Sequence, residues 1–441
     1  MLRNSLTVPA LALSLVAVSQ ALDPLYWYYY DVDTTQDFGR YSSIAFDSKG
    51  KVSVGYRGAR SIKYATFDGK VWAAEKADTN TAVDAKMAMA LDDKGSPHIF
   101  YEDEEDLRIF YARKVDGKWE RTYVDSGGHS AFYQMSAVAG GGDTIHVVYN
   151  KHRNGGVELN YNSVADGKFS GGVQVCQNCG YVGKWNDLIL DSLGRPVISY
   201  FRDFPRNLSV GYIDSAKWKY VGLDDLLNKN LEGYHNSIAR DTGGTFFVAT
   251  QNPRTNRLLL LHGKPGAPDS TWTLENLDTL TGFSVFGNRS HVEKVRGVPH
   301  IFFSRLKDSD PDQNKIGESN LVMAYKDGGQ WKFEDIDTAG IVGAYSSVAI
   351  SPDGLPAISY ADVGKGWLKV AIASLTPPPD EDKNGIPDYK ELTGLRKPRQ
   401  ALKGKGVRGS EGVRFDSRGK ALPRTGPGQN LPATPTFRRP G

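Results

Sequence analysis

Cysteine is almost absent from this 441-residue chain, where only Cys176 and Cys179 occur. A dense disulfide framework therefore cannot hold the fold together. The two residues form one CxxC motif with no further zinc ligands nearby, with Gly180 where a haem attachment needs His, and with no helical pattern after it as in a thioredoxin-type dithiol. In an oxidising compartment the motif predicts a small loop closed by a Cys176–Cys179 disulfide.

Long apolar runs are also missing after the N-terminus. The first run, from Val8 to Val18, lies between Arg3 and the small residues that end at Ala21. It is about half as long as the roughly 20 residues that cross a bilayer, and its flanks suit a signal peptidase. We predict a signal peptide over residues 1–21, a secreted or periplasmic protein, and no membrane span.

The chain has little net charge, +3 in total, which argues against a specific nucleic-acid binder. The total hides two unlike parts. Residues 396–441 contain 12 basic and 2 acidic residues among many Gly and Pro, whereas residues 22–395 sum to −8. We predict a disordered basic tail that could contact an anionic surface, behind an acidic folded body.

One aromatic position recurs along that body. A Trp is followed six residues later by Asp in six places, and Phe169 with Val175 fills the one gap, so that seven aromatics stand 45 to 59 residues apart. A large aromatic at the same place in each repeat predicts packing between repeats, not ligand contact. The six pairs are Trp27 with Asp33, Trp72 with Asp78, Trp119 with Asp125, Trp218 with Asp224, Trp272 with Asp278 and Trp331 with Asp337.

Each repeat also contains a short apolar segment that ends in a Gly turn, such as SSIAFDSKG from Ser42, then a strand such as PHIFYED from Pro97, then a strand with a recurrent Tyr. Four short strands repeated in this way indicate a β-propeller blade. The last repeat ends near Leu375 without its Trp strand, and the strand at Trp27 matches the missing one. The sequence predicts an all-β, seven-bladed propeller over residues 22–375, closed by its N-terminal strand.

The face on which the innermost strands begin and the second strands end is the expected binding face, and we call it the upper face. Aligned repeats place a polar or aromatic residue at the start of each innermost strand. These predicted ligand-binding residues are Tyr41, Lys86, Gln134, Trp185, His235, Asn288 and Tyr345.

The ends of the second strands add cations, namely Arg57, Arg202 and Arg305. Aromatic rings stack on the apolar faces of sugars, and amides and guanidinium groups bind hydroxyls and carboxylates. We predict an extracellular carbohydrate, favoured to be acidic, or another anionic ligand as the partner of a monomeric, non-catalytic binding propeller. A protein-interaction scaffold is a further alternative, which an exposed apolar patch on the upper face would indicate.

An enzyme is the other alternative, because His, Tyr and Arg occur on neighbouring repeats. In architecture and residue type the chain resembles the sialidase-like propellers and the seven-bladed polysaccharide lyases such as the ulvan lyases. That resemblance implies uronate cleavage, ahead of glycoside hydrolysis, by an acid/base pair and a carboxylate-neutralising arginine. On this chain the candidates are His152 and Arg202 with one of Tyr133, His129 or Tyr181, which lie on neighbouring repeats.

A twelve-residue acidic motif follows the propeller, in the 376–395 segment after Pro377. Oxygen-bearing residues at its alternate positions and a Gly at the sixth match the ligand spacing of a calcium loop. The motif resembles the loops of EF-hand, dockerin and thrombospondin type-3 repeats and predicts one structural Ca²⁺. Its expected ligands are Asp380, Asp382, Asn384, the carbonyl of Ile386, Asp388 and Glu391.

Overall fold

The chain folds into seven antiparallel sheets that are the blades of a propeller. Their innermost strands contact one another in sequence and return from the seventh blade to the first, so the ring is closed. The predicted all-β, seven-bladed fold is confirmed. The computed structural model describes residues 23–35, 40–79, 86–103, 107–126, 134–153, 156–176, 182–203, 206–223, 233–252, 255, 257–266, 272–279, 290–306, 315–316, 319–381, 383 and 413–414.

Each blade runs from its innermost strand outward in chain order. Blade 1 consists of β2 (Ser43–Phe46), β3 (Val52–Gly58), β4 (Ser61–Phe67) and β5 (Trp72–Asp78). Blade 2 consists of β6 (Met87–Leu91), β7 (Pro97–Asp103), β8 (Arg108–Val115) and β9 (Lys118–Ser126). Blade 3 consists of β10 (Ser136–Gly141), β11 (Thr144–Arg153), β12 (Gly156–Ala165) and a split outer strand, β13 (Lys168–Phe169) with β14 (Val173–Gln174).

The remaining blades repeat this order. Blade 4 consists of β15 (Val182–Leu190), β16 (Pro196–Asp203), β17 (Arg206–Asp214) and β18 (Lys217–Gly222). Blade 5 consists of β19 (Tyr234–Arg240), β20 (Phe246–Asn252), β21 (Arg257–Gly263) and β22 (Thr273–Thr279). Blade 6 consists of β23 (His291–Val295), β24 (Val298–Leu306), β26 (Ser319–Asp327) and β27 (Gln330–Asp337). Blade 7 consists of β28 (Val342–Ile350), β29 (Pro356–Asp362), β30 (Trp367–Ser374) and β1 (Tyr26–Asp33).

The N-terminal strand β1 completes blade 7 by pairing antiparallel with β30. Trp27 lies opposite Ala373, and Tyr30 lies opposite Val370. The last blade therefore holds both ends of the ring, as predicted, and β30 has a paired strand on each side.

The repeated aromatics pack where each blade meets the preceding one. Trp272 of blade 5, for example, lies in a buried cluster with Val210 of blade 4 and Val248 of blade 5. The same holds at the other six junctions, including Phe169 at the junction of blades 2 and 3. The prediction that these residues pack between repeats is confirmed.

The repeated Asp reaches in the other direction, to the following blade. Asp337 of β27 accepts a 2.7 Å hydrogen bond from the hydroxyl of Tyr360 on β29 and forms an ion pair with Lys369. Burial alone would raise the pKa of Asp337, but Lys369, Tyr360 and the amide of Ala339 together lower it. The equivalent Tyr-to-Asp hydrogen bonds are Tyr56 to Asp33, Tyr101 to Asp78 and Tyr149 to Asp125.

The junction of blades 3 and 4 has the Tyr but not the Asp. Val175 stands where the other repeats have Asp, and it packs in one cluster with Tyr200, the blade 4 equivalent of Tyr360. Among the described residues the buried hydroxyl of Tyr200 has no hydrogen-bond partner. One substitution in the repeat thus removes the acceptor and leaves the donor in place.

Several predicted features fall outside the described residues, in whole or in part. The signal peptide, Cys179 and most of the calcium loop lie there. The signal peptide, the Cys176–Cys179 disulfide and the calcium site therefore stay predictions. Cys176 is buried in the cluster between blades 3 and 4. Within the predicted basic tail, β31 (Val413–Arg414) pairs with β25 (Lys315–Ile316), which lies between β24 and β26. The described part of the chain contains no helix that could span a membrane.

Two Tyr-to-Phe variants compare a junction that has the Tyr-to-Asp hydrogen bond with one that lacks it. Tyr360→Phe should lower the free energy of unfolding by about 1.5–3 kcal/mol, because it removes a hydrogen bond to a buried carboxylate. Tyr200→Phe should leave it unchanged or raise it, because that buried hydroxyl has no hydrogen bond to lose. Urea unfolding of both variants measures the difference. Equal losses would show that the Asp acceptor contributes nothing at the junction.

Candidate functional site

The strand starts on the upper face share one register. Ser43 lies opposite Gly55 in blade 1, and Ser347 lies opposite Ser359 in blade 7. Counting two residues back from this position gives the same site in each blade. The predicted residues that occupy it are Tyr41, Lys86, Gln134, Trp185, His235 and Tyr345.

The prediction is one residue off in blade 6. There His291 lies opposite Phe302, the residue equivalent to Gly55, so the count gives residue 289 and not Asn288. The repeat lengths around this strand differ from those of the other blades, which shifts an alignment made from sequence alone. Asn288 and Arg289 both lie outside the described residues.

Four of these bulky residues have a left-handed backbone. Tyr41, Trp185, His235 and Tyr345 have φ values of 51°, 48°, 52° and 54°. This conformation costs a non-glycine residue about 1–2 kcal/mol, because Cβ crowds the following carbonyl oxygen. Such strain persists only where the surroundings enforce it, and it is concentrated at functional sites. Because this strain recurs in blades 1, 4, 5 and 7, these strand starts are candidate positions for a functional site.

A glycine two residues earlier creates the required turn. Gly183 has a φ of +94°, and a Cβ there would fall 2.4 Å from Nδ2 of Asn150 on blade 3. Gly343 has the same φ, and a Cβ would fall 3.1 Å from Cα of Leu321 on blade 6. Each glycine thus lets its strand start approach the preceding blade. The pattern Gly-x-aromatic-Ser/Asn in residues 39–42, 183–186, 233–236 and 343–346 is a sequence signal for this feature.

The following blade holds the strained residue in place. Ser290 Oγ donates a 2.7 Å hydrogen bond to the carbonyl of His235, and Ser42 Oγ donates one of 3.3 Å to the carbonyl of Tyr345. Both donors belong to the next blade around the ring. The conformations of these two strand starts therefore depend on intact junctions.

The strained residues meet in pairs at two junctions. Trp185 lies 5.1 Å from His235 and 4.2 Å from Tyr234, measured between ring centroids, at the junction of blades 4 and 5. Tyr41 and Tyr345 lie 5.1 Å apart at the junction of blades 7 and 1. Tyr41 and Tyr234 are the half-buried members, whereas the other three are buried. The upper face thus has two aromatic clusters, each with one partly exposed ring.

Between them, blades 2 and 3 contribute polar groups. Lys86 is buried and forms a 3.2 Å ion pair with Glu102. Gln134 is half-buried, and these three residues border a void of about 10 Å³ together with Asn150. Such a void holds about one water molecule. Lys86 is therefore buried below the upper face, and Gln134 is the polar residue nearer to solvent.

The three predicted arginines have different surroundings. Arg57 is 3% exposed. It is the blade 1 equivalent of Glu102 and lies one residue before the position that Arg202 and Arg305 occupy in their blades. Arg202 and Arg305 are half-buried at the ends of their second strands. The guanidinium of Arg202 lies 5.2 Å from the ring centroid of Tyr220, and that of Arg305 lies 5.0 Å from that of Phe333.

The predicted lyase residues are mostly beyond what the structure describes. His129, Tyr133 and Tyr181 lie outside the described residues, and His152 is described only as a backbone position on β11, opposite Val157. The structure therefore tests no contact between these groups and Arg202. Two other histidines are bonded within their blades, His98 to Tyr111 and His146 to Tyr161, with Nδ1 to hydroxyl distances of 2.6 Å.

A central cavity of about 230 Å³ lies among the innermost strands of the ring. At one register position the side chain reaches the backbone of the next innermost strand, which links the blades by a belt of hydrogen bonds. Ala88 of blade 2 is the member of this position that cannot form one. The bonds join Ser43 to Met89, Ser136 to Leu188, Asp187 to Ile238, Ser237 to Val292, His291 to Ser346 and Ser347 to Ile44.

Glu293 of β23 also faces this cavity. Burial raises the pKa of Glu293 to about 8, and the negative charge of Asp187 adds to the effect. At neutral pH the carboxyl is mostly protonated.

The titration of Glu293 predicts an unusual pH dependence. The folded protein keeps this proton up to about pH 8, whereas an ordinary glutamate releases it near 4.5, so the folded state binds more protons between these values. The free energy of unfolding should then fall as pH rises through this window, by at most about 1.4 kcal/mol per pH unit. Glu293→Gln should remove the decline in urea unfolding measured against pH, and Glu120→Gln, on an exposed strand, should keep it. An unchanged slope in Glu293→Gln contradicts the assignment.

Comparison with known proteins supports the fold. No protein-family model and no curated protein matches the chain. A streptogramin B lyase structure has 13% identity and a TM-score of 0.50, covering 79% of this chain and 98% of its own. A mutant of the Aleuria aurantia lectin in complex with Fucα1-6GlcNAc has 13% identity, a TM-score of 0.46 and coverages of 69% and 98%. A leech intramolecular trans-sialidase has 13% identity, a TM-score of 0.41 and coverages of 77% and 67%. At 13% identity the likeness to the streptogramin B lyase structure is one of fold alone.

Proposed function

We propose that the protein is a secreted propeller that binds a carbohydrate on its upper face without catalysis. The observation that carries this proposal is the pair of aromatic clusters built from strained strand starts, around Tyr41 and around Tyr234. Backbone strain at equivalent places in four blades is costly, and the packing of a regular repeat does not require it, since blades 2 and 3 have none at Lys86 and Gln134.

The chemistry of these clusters suits sugars. The half-buried rings of Tyr41 and Tyr234 offer apolar surface for the C–H faces of a pyranose. Gln134 adds a side-chain amide whose NH2 group can donate hydrogen bonds to hydroxyls. Arg202 and Arg305, at the second-strand ends, add fixed positive charge on the same face, which favours an acidic glycan over a neutral one.

The two alternative functions have less support. Of the five residues that lyase chemistry would use, the structure describes only the side chain of Arg202, which lies on the ring of Tyr220. A scaffold would need an apolar patch on the upper face, but the exposed large hydrophobic side chains among the described residues lie on outer strands and turns and at the end of the ring. They are Val71, Tyr123, Val173, Leu193, Tyr220 and Leu375.

Glycan binding is testable with matched tyrosine variants. The chain from residue 22 should bind members of an array of neutral and acidic glycans, and titration calorimetry with the best glycan should give a measurable Kd. Tyr41→Ala and Tyr234→Ala should each weaken that Kd by about tenfold, because each removes one stacking surface. Tyr123→Ala removes the same ring from an outer strand and should leave the Kd unchanged.

Three outcomes would contradict the proposal. Binding to no glycan removes it altogether, and full affinity in both upper-face variants removes the site. Release of unsaturated uronate, followed by its absorbance during incubation with acidic polysaccharides, would show a lyase instead of a non-catalytic binder.

We also propose that residues 380–391 bind one Ca²⁺. The loop begins with a turn in which the amide of Lys383 donates a 3.2 Å hydrogen bond to the carbonyl of Asp380, and Lys383 has a φ of 54°. A tight turn at this point suits a chain that must direct alternate side chains to one cation.

Calcium should therefore raise the melting temperature, because an ion that binds only the folded state stabilises it. The double variant Asp380→Ala with Glu391→Ala should lose the shift, since it removes the first and last ligands. Glu381→Ala, at the second loop position, which supplies no ligand, should retain it. The absence of both a shift and calorimetric Ca²⁺ binding in the wild type would disprove the site.

A further inference from the structure

A second cavity lies on the lower face, the side opposite the upper face, between blades 4 and 5. It has a volume of about 210 Å³ and is bordered by the turn after β15, by the end of β19 and by the turn after β21. Its walls combine aromatic and apolar side chains with three cations. The residues that matter here are Arg195, Tyr212, Arg240, Phe246, Lys264 and Pro265.

Arg240 occupies a position that is apolar in blades 1, 2, 4 and 7, whereas blade 6 also has a cation there, Lys294 opposite Pro299. Arg240 is the last residue of an innermost strand and lies opposite Phe246, the first residue of the second strand. Apolar packing explains the residues of those four blades, but it does not explain a cation. The apolar equivalents are Phe46, Leu91, Leu190 and Ile350.

Lys264 reverses a charge at a second position of the same blade. It directly follows β21, in the turn to the outer strand. Three other blades have an acidic residue at this place in the turn. These residues are Asp68, Asp214 and Asp327. Blade 5 has therefore gained a cation at two independent repeat positions, and both border one cavity.

The positive charge in the cavity is only partly neutralised. Arg195 is fixed by Asp191, with its Nε 2.7 Å from Oδ2 of that carboxylate. Within the described ranges the side chains of Arg240 and Lys264 form no ion pair or hydrogen bond. Two cations beside aromatic and apolar walls form the arrangement in which a charged group is bound by the cations and an apolar body by the walls.

We propose that this cavity binds a small organic anion: one carboxylate, sulfate or phosphate on a single flat ring with an apolar face. The anionic group lies between Arg240 and Lys264, and the ring packs against Tyr212 and Phe246. The volume is below the roughly 300–1,000 Å³ of pockets for drug-sized ligands, so it suits one ring and not an oligomer. The site is on the face opposite the proposed glycan site, and the two are independent.

Calorimetry with small probes tests the site on the chain from residue 22. 4-Hydroxybenzoate and phenyl phosphate are the anionic probes, and 4-hydroxybenzyl alcohol and phenol are their neutral counterparts. At least one anion should bind with 1:1 stoichiometry, at least about tenfold more tightly than its neutral counterpart and more weakly at high salt. Failure of both anions to bind at about 10 mM, or equal binding of the neutral compounds, overturns the proposal.

Charge variants locate the binding. Arg240→Gln with Lys264→Gln should weaken the Kd by at least about tenfold, and Lys264→Gln alone, in an exposed turn, by about threefold. Lys70→Gln with Lys94→Gln removes two exposed cations from lower-face turns of blades 1 and 2 and should leave the Kd unchanged. Equal losses of affinity in both double variants would show that only general charge attraction is at work and would overturn the site. Melting curves show whether each variant is folded.

Discussion

The junction between adjacent blades is the interaction on which the rest of this molecule depends. A blade of four short strands buries too little surface alone, and its apolar faces are covered only by its neighbours. The outer strand serves both sides, with Trp331 packed towards blade 5 and Asp337 bonded to Tyr360 of blade 7. Where Asp becomes Val175, Tyr200 remains buried without an acceptor, so apolar packing alone maintains that junction.

The upper face is a product of these junctions. A left-handed tyrosine or tryptophan would relax in an isolated strand, but here a glycine against the preceding blade and a hydrogen bond from the following blade enforce it, as at Gly343 and Ser42 around Tyr345. Because two neighbouring strand starts are both strained, Trp185 and His235 meet as one cluster. The proposed binding surface therefore depends on the contacts between adjacent blades.

The two faces show how function can arise by departure from a repeat. On the upper face the register is shared and the residue type differs from blade to blade. On the lower face blade 5 combines Arg240 and Lys264, at positions where four blades have an apolar residue and three have an acidic one. Packing explains the residues that are the same in every blade. A residue that differs from its equivalents without a packing reason is therefore the better indicator of a binding site.

The sequence by itself determined the number of blades, their order and the closure by the strand at Trp27, because each junction needs the same packing residues and therefore repeats them. It also identified the strand starts, apart from the shift at Asn288, where repeat length changed. Only the tertiary structure decided that Arg57 and Lys86 are buried, that Tyr41 touches Tyr345, and which blades border the lower cavity. Burial and contact depend on residues up to hundreds of positions away, and no local pattern encodes how those surfaces meet.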